Sequence, residues 1–150
     1  MVMYKQGRKY SEVAVGEAFV ERLEVTPAHL TTGAALIGDF NPLHVDKDFA
    51  ARSRFGGCIL HGVITSAIIG APVGMIFGGT AIGYLEHNCK FLAPVRAGDT
   101  LTTTWTVLAK EDKPKHGGGV VRMGATCANQ AGVKVAEAGG AMLVANGLVA

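Results

Sequence analysis

Asp39 and His44 place a carboxylate and an imidazole five positions apart within Gly38-Asp39-Phe40-Asn41-Pro42-Leu43-His44. Aimed at one water, two such groups form a general acid/base pair able to activate the water or deliver its proton. The residues between them decide whether they converge. Pro42 has no amide donor and disfavours the α region for Asn41 before it, so the segment is predicted to be a bent, extended crossing rather than helix. Taken alone, Asp39 reads as a turn-capping carboxylate after Gly38. In company with Asn41, Pro42 and His44 that reading reverses, with Asn41 as an organiser whose side chain bonds neighbouring backbone.

The flanking elements must hold the pair in place. Thr26 offers an N-cap oxygen, Pro27 suits the first helical position, and Leu30, Ala34 and Ile37 form a helical stripe that Gly38 stops. Asp39 is therefore expected just past a helix end, fixed on one side by the helix and on the other by Pro42. Asp46 caps a short helix over residues 47–51, and residues 52–57 form a loop ending in paired glycines. A long apolar helix is expected from Ile59, with the amides around His61 and Gly62 near its N-terminus, where unpaired donors and the helix dipole favour negative charge. Gly62, lacking a side chain, would let a ligand oxygen approach its amide as part of an oxyanion hole; the competing reading is a packing glycine. His61 reads as a structural histidine rather than a catalytic partner. Thr65 and Ser66 either line a pocket or bond helix carbonyls, and both readings stay open.

Pro72 is expected to kink or stop this helix, and Gly78-Gly79 to end it. Residues 17–25, 81–91, 100–109, 119–129 and 133–144 read as strands, separated in the second half by turns at 94–99, 110–118 and 129–132. Short connections imply antiparallel neighbours, and the class is α+β within a single domain over residues 1–150.

Composition excludes several classes. The chain is 49% hydrophobic and 17% charged, against about 25% charged in an average domain, which points to a buried subunit interface. A net charge of +2 without a long Lys/Arg run lacks the footprint of a nucleic-acid binder. Lys110, Lys113, Lys115 and His116 read as a solvated hairpin tip rather than a phosphate contact, because Glu111 and Asp112 partly neutralise them. Gly117-Gly118-Gly119 reads as a flexible turn, lacking the Lys-Ser/Thr of a phosphate loop. Residues 62–85 carry no formal charge and could span a bilayer by length, yet Pro72, the glycines and the missing interfacial anchors favour a helix buried in its own protein. Cys58, Cys89 and Cys127 are three widely spaced thiols, expected to be reduced. Asp39, His44, Cys58 and His61 show no recognised metal-ligand spacing, so no metal is expected. No secretory signal follows the charged residues 1–9 and residues 148–150 are no peroxisomal address, so the expected location is cytoplasmic.

The run from Gly38 to His44, followed by Val45-Asp46 and then Leu60-His61-Gly62, resembles the signature of the MaoC-like hydratases, or (R)-specific enoyl-CoA hydratases. Phe91-Leu92-Ala93-Pro94-Val95 and Gly98-Asp99 are also similar to that family, so the resemblance covers most of the chain and is strongest over residues 34–67. Ile37 departs from it, standing where a small or hydroxyl residue is common. The resemblance implies a hotdog fold, in which an antiparallel sheet wraps a long central helix, and a homodimer with sites near the subunit boundary. It implies reversible syn hydration of a trans-2-enoyl thioester to the (3R)-3-hydroxyacyl thioester, with coenzyme A as acyl carrier and no other cofactor. Asp39 and His44 would carry the acid/base chemistry, and the Gly62 amide would meet the thioester oxygen. Two alternatives remain open: a hotdog acyl-CoA thioesterase, and a non-catalytic acyl-thioester-binding subunit.

Overall fold

The computed structural model describes residues 7–149; residues 1–6 of the charged N-terminal stretch, and Ala150, lie outside them. Strand β1 (Ala18–Glu24) leads into α1 (Pro27–Ile37), the one-turn α2 (Pro42–Val45), α3 (Lys47–Arg52) and the long α4 (Gly62–Ile76). Strands β2 (Ala81–Phe91), β3 (Thr100–Lys113), β4 (Gly118–Ala128) and β5 (Lys134–Ala145) follow. All five strands join one antiparallel sheet in the order β1-β3-β4-β5-β2. A five-stranded antiparallel sheet packed on one long helix is the α+β, hotdog architecture that the resemblance implies.

Alternation along β3 builds the floor of the core. Leu101, Thr103, Trp105 and Val107 all point inward and are buried, as the period of two in a strand requires. Against them α4 buries Thr65, Ile69, Gly70 and Val73. Trp105 is fully buried and donates its indole N–H to the Ile69 carbonyl at 2.8 Å.

Pro72 was expected to kink or stop the helix; it does not stop it, because α4 continues to Ile76. A proline in a helix removes one intrahelical donor and crowds the carbonyls one turn back, and the turn survives where neighbours occupy those carbonyls. The carbonyl that Pro72 leaves without its donor is that of Ile68, four positions back; Trp105 donates to the adjacent one, Ile69. The helix also begins later than expected, at Gly62 rather than Ile59. The Ile59 and Leu60 amides are taken by the Leu43 and Val95 carbonyls at 3.1 and 2.7 Å, which holds both residues in a crossing segment until His61 caps the helix.

The turn expected at residues 110–118 is mostly strand. Pairing of β3 with β4 continues from Lys110↔Val121 to Lys113↔Gly118, leaving only a short 3-10 turn at Pro114–His116. Gly119 is needed inside that ladder, because a Cβ there would sit 2.4 Å from the Tyr10 ring. Lys110 is occupied structurally: its ammonium donates to the Val13 carbonyl at 2.7 Å and lies 4.3 Å from the Tyr10 ring centroid. All three cysteines are free. Among the described residues no helix is long and apolar enough to cross a membrane.

Candidate active site

The site grows from the end of α1. Gly38 adopts φ +74° and donates its amide to the Ala34 carbonyl at 2.9 Å, the left-handed stop that glycine makes without a steric penalty. Asp39 emerges directly after it, and its Oδ1 accepts the Asn41 amide at 3.1 Å. Asn41 caps the next turn, its Oδ1 accepting the Leu43 amide at 3.0 Å. Here the expected extended crossing is corrected. Pro42 occupies the first position of α2, where a missing amide is harmless and a fixed φ suits a helix start; the restriction on the residue before proline falls on Asn41, which sits outside the helix at ψ 131°. The bend therefore contains one helical turn, and that turn swings His44 back toward Asp39.

His44 Nε2 lies 3.9 Å from Asp39 Oδ2, with His44 largely buried and Asp39 about half exposed. The other ring nitrogen, Nδ1, is 2.8 Å from the Ile59 carbonyl. A carbonyl only accepts, so Nδ1 carries a proton, and in the neutral form of the ring Nε2 presents a lone pair. Two acceptors have no proton to share with each other, but at 3.9 Å apart one water about 2.8 Å from each would subtend an angle of about 90° and donate a proton to both.

Beneath this pair lies His61, 1% exposed and the N-cap of α4. Its ring stacks on His44 with centroids 3.8 Å apart, and its Nε2 donates to the Asp39 carbonyl at 2.9 Å. His61 is thus a structural histidine, as expected from sequence, but the structure it supports is that of both site residues. Its Nδ1 is buried without a hydrogen-bond partner among the described residues. Donor atoms of Asp39, His44 and His61 all lie within 4.8 Å of one another, a set of one carboxylate and two imidazoles that has the ligand types of a cation site, although no spacing in the sequence marked it.

Gly62 is the first residue of α4, where amides have no intrahelical acceptor, and no acceptor among the described residues takes its N–H. A Cβ on Gly62 would meet the Phe91 ring at 3.2 Å. The oxyanion and packing readings of this glycine thus coexist. Ser66, left open between pocket and helix carbonyl, turns toward β2 and lies 2.8 Å from His87 Nε2. Thr65 takes the other option, donating to the His61 carbonyl at 3.1 Å.

Phe91 and His87 escaped sequence reasoning. Alternation of residues 87, 89 and 91 in β2 against the 62, 66, 70 stripe of α4 was the available signal. A large apolar groove of about 800 Å³ lies elsewhere, between α1 and α4 over β1 and β3, lined by Leu36, Ile64, Ala67 and Met75 among others. Asp39, His44 and Gly62 do not line it; Gly62 faces Phe91 of β2 instead.

The model of the MaoC like domain matches residues 12–129. The chain belongs to the MaoC-like family. It is 33% identical over 98 residues to the (R)-specific enoyl-CoA hydratase of Rhodospirillum rubrum, covering 65% of this chain and 68% of that one. Its counterpart from Aeromonas caviae is 39% identical over 88 residues, covering 58% and 66%. The 3-hydroxybutyryl-CoA dehydratase of Methylorubrum extorquens is 34% identical over 90 residues, covering 60% of this chain and 57% of that protein. The aligned region thus spans between about half and two thirds of these curated relatives. The unliganded R-hydratase PhaJ1 of Pseudomonas aeruginosa superposes with a TM-score of 0.80 at 32% identity, covering 92% of this chain and 86% of that one. Among MaoC-like proteins the hydratase and dehydratase group is therefore the relevant one.

Proposed function

We propose that the protein catalyses reversible hydration of trans-2-enoyl-CoA to (3R)-3-hydroxyacyl-CoA, using Asp39 and His44 to activate water. The observation that carries this reading is the 3.9 Å gap between Asp39 Oδ2 and His44 Nε2 beside the N-terminus of α4. With Nδ1 held by Ile59, both facing atoms are acceptors, so one water satisfies both with its protons and turns an oxygen lone pair outward. That oxygen adds to C3. One of its protons passes to the pair and is delivered to C2, while the other remains on the new hydroxyl, so atoms balance without a further reactant. Negative charge that develops on the thioester oxygen meets the Gly62 amide and the dipole of α4, fixed donors of the kind worth most in the transition state.

Coenzyme A is the acyl carrier in this reading, and neither metal nor redox cofactor is needed. The names of the relatives from Rhodospirillum rubrum and Aeromonas caviae support the reaction type. A second copy of the chain completes the assembly: β2 is a sheet edge of 11 residues with Tyr84, Leu85 and Phe91 exposed on it, and an uncovered edge of that kind invites pairing. Three free thiols suit a reducing cytoplasm.

Loss of the enoyl-thioester ultraviolet absorbance with crotonyl-CoA, followed alongside a thiol-reactive dye, tests the reading. Absorbance loss without thiol release is the expected result. Thiol release would mean a thioesterase, and binding without turnover of any thioester a non-catalytic subunit.

A further inference from the structure

Along β2, His87, Cys89 and Phe91 share one face, and that face meets a single stripe of α4. A Cβ on Gly62 would lie 3.2 Å from the Phe91 ring, and a Cβ on Gly70 3.2 Å from the His87 ring. Between them Ser66 Oγ lies 2.8 Å from His87 Nε2, and Tyr84 Oη lies 2.9 Å from His87 Nδ1. Ser66 thus stands one helical turn, about 5.4 Å, beyond the Gly62 amide. A thioester whose oxygen rests on that amide spans about the same length between its C1 and a substituent on C4, three C–C bonds away.

The proton count of this trio leaves a surplus. Ser66, Tyr84 and a neutral His87 carry three donor protons, and two contacts use two of them. If Nδ1 carries the ring proton, it donates to Tyr84, Ser66 donates to Nε2, and the Tyr84 hydroxyl proton is spare. In the other tautomer the spare proton belongs to Ser66, whose hydroxyl also reaches the Cys89 sulfur, a weak acceptor. A charged ring donates to both hydroxyls and leaves both their protons free. An alkyl chain laid here would strip water from an unpaired donor, whereas an oxygen acceptor would satisfy it. The imidazole also fills the bare face of Gly70 and closes this side of α4 to a long chain.

Resting on the hydratase reading, we propose that Ser66, His87 and Tyr84 form a polar subsite that selects short enoyl thioesters bearing an oxygen acceptor on C4. The test compares fumaryl-CoA with crotonyl-CoA, which differ in a carboxylate against a methyl hydrogen set at the same chain position, in wild type, Ser66→Ala and Tyr84→Phe. Affinities for the non-reacting succinyl-CoA and butyryl-CoA are measured on the same proteins. Wild type is expected to favour the carboxylated partner of each pair by about tenfold or more, and each variant to bring that ratio toward one. A general loss of structure would lower both members and leave the ratio unchanged, which overturns the subsite. So does a wild-type preference for the alkyl partners. Absence of turnover for every thioester would sink the hydratase reading alone, because the paired affinities still decide the subsite.

Discussion

The rings of His44 and His61 stack with centroids 3.8 Å apart, while His61 Nε2 donates to the Asp39 carbonyl at 2.9 Å. One buried side chain therefore holds both members of the proposed acid/base pair, one through its face and the other through its edge. In His61→Phe an aromatic face remains under His44 but the bond to Asp39 is lost. We expect kcat to fall about tenfold, the worth of one hydrogen bond to a positioned group, with KM little changed. Steady-state kinetics with crotonyl-CoA beside a thermal melt provide the check. An unchanged kcat in a folded variant would reduce His61 to filling space.

Asp39→Asn and His44→Ala each remove an acceptor from the proposed water. Both are expected to fold, since Asp39 is about half exposed and α2 keeps its Asn41 cap, and to lose about 10²–10⁴-fold in turnover. Prior dialysis of wild type against a strong chelator should leave turnover intact. Loss of activity on dialysis with recovery on adding a divalent cation would instead turn Asp39, His44 and His61 into a metal centre.

Much of this arrangement was legible in the residues. Thr26, Pro27 and Gly38 bound α1 as their types dictate, β2 occupies residues 81–91 as read, and the run from Asp39 to His44 brings its two side chains to face each other at 3.9 Å. What was not legible depended on partners distant in sequence. Pro42 looked like a barrier to helix because its effect on Asn41 was extended to the residues after it. Pro72 looked like a stop, yet α4 runs through it to Ile76 while packed against Trp105 of β3, 33 positions on. His61 looked structural, correctly, but its support of Asp39 and His44 required the α1–α2 bend to lie over the start of α4.

Gly62 combines an amide without an acceptor among the described residues and a close ring, and one substitution addresses both. In Gly62→Ala the new methyl group would stand 3.2 Å from Phe91. Phe91 is an edge-strand side chain and half exposed, so its ring can yield and stability should change little. The methyl group would nevertheless crowd the approach of a thioester oxygen to the amide, and we expect kcat to fall about tenfold or more. Unchanged kcat would leave Gly62 as a packing residue only.

Tyr10 supplies a pH-dependent strut remote from the site. It is buried, its hydroxyl donates to Asp112 at 2.6 Å, and burial followed by the Asp112 bond and charge pushes its pKa from 10.0 up to about 12. A group whose folded pKa is raised contributes stability that is complete below its unfolded value and is lost as pH rises through the folded one. Melting temperature should therefore drop across the window from about pH 10 to 12, the range set by those two values. Tyr10→Phe keeps the ring that packs over Gly119 and beneath Lys110 but has no proton to lose, so its alkaline decline should be shallower. Parallel melts of the two proteins from pH 8 to 12 measure the difference directly. Identical slopes would show that Tyr10 ionises no later in the folded chain than in the unfolded one.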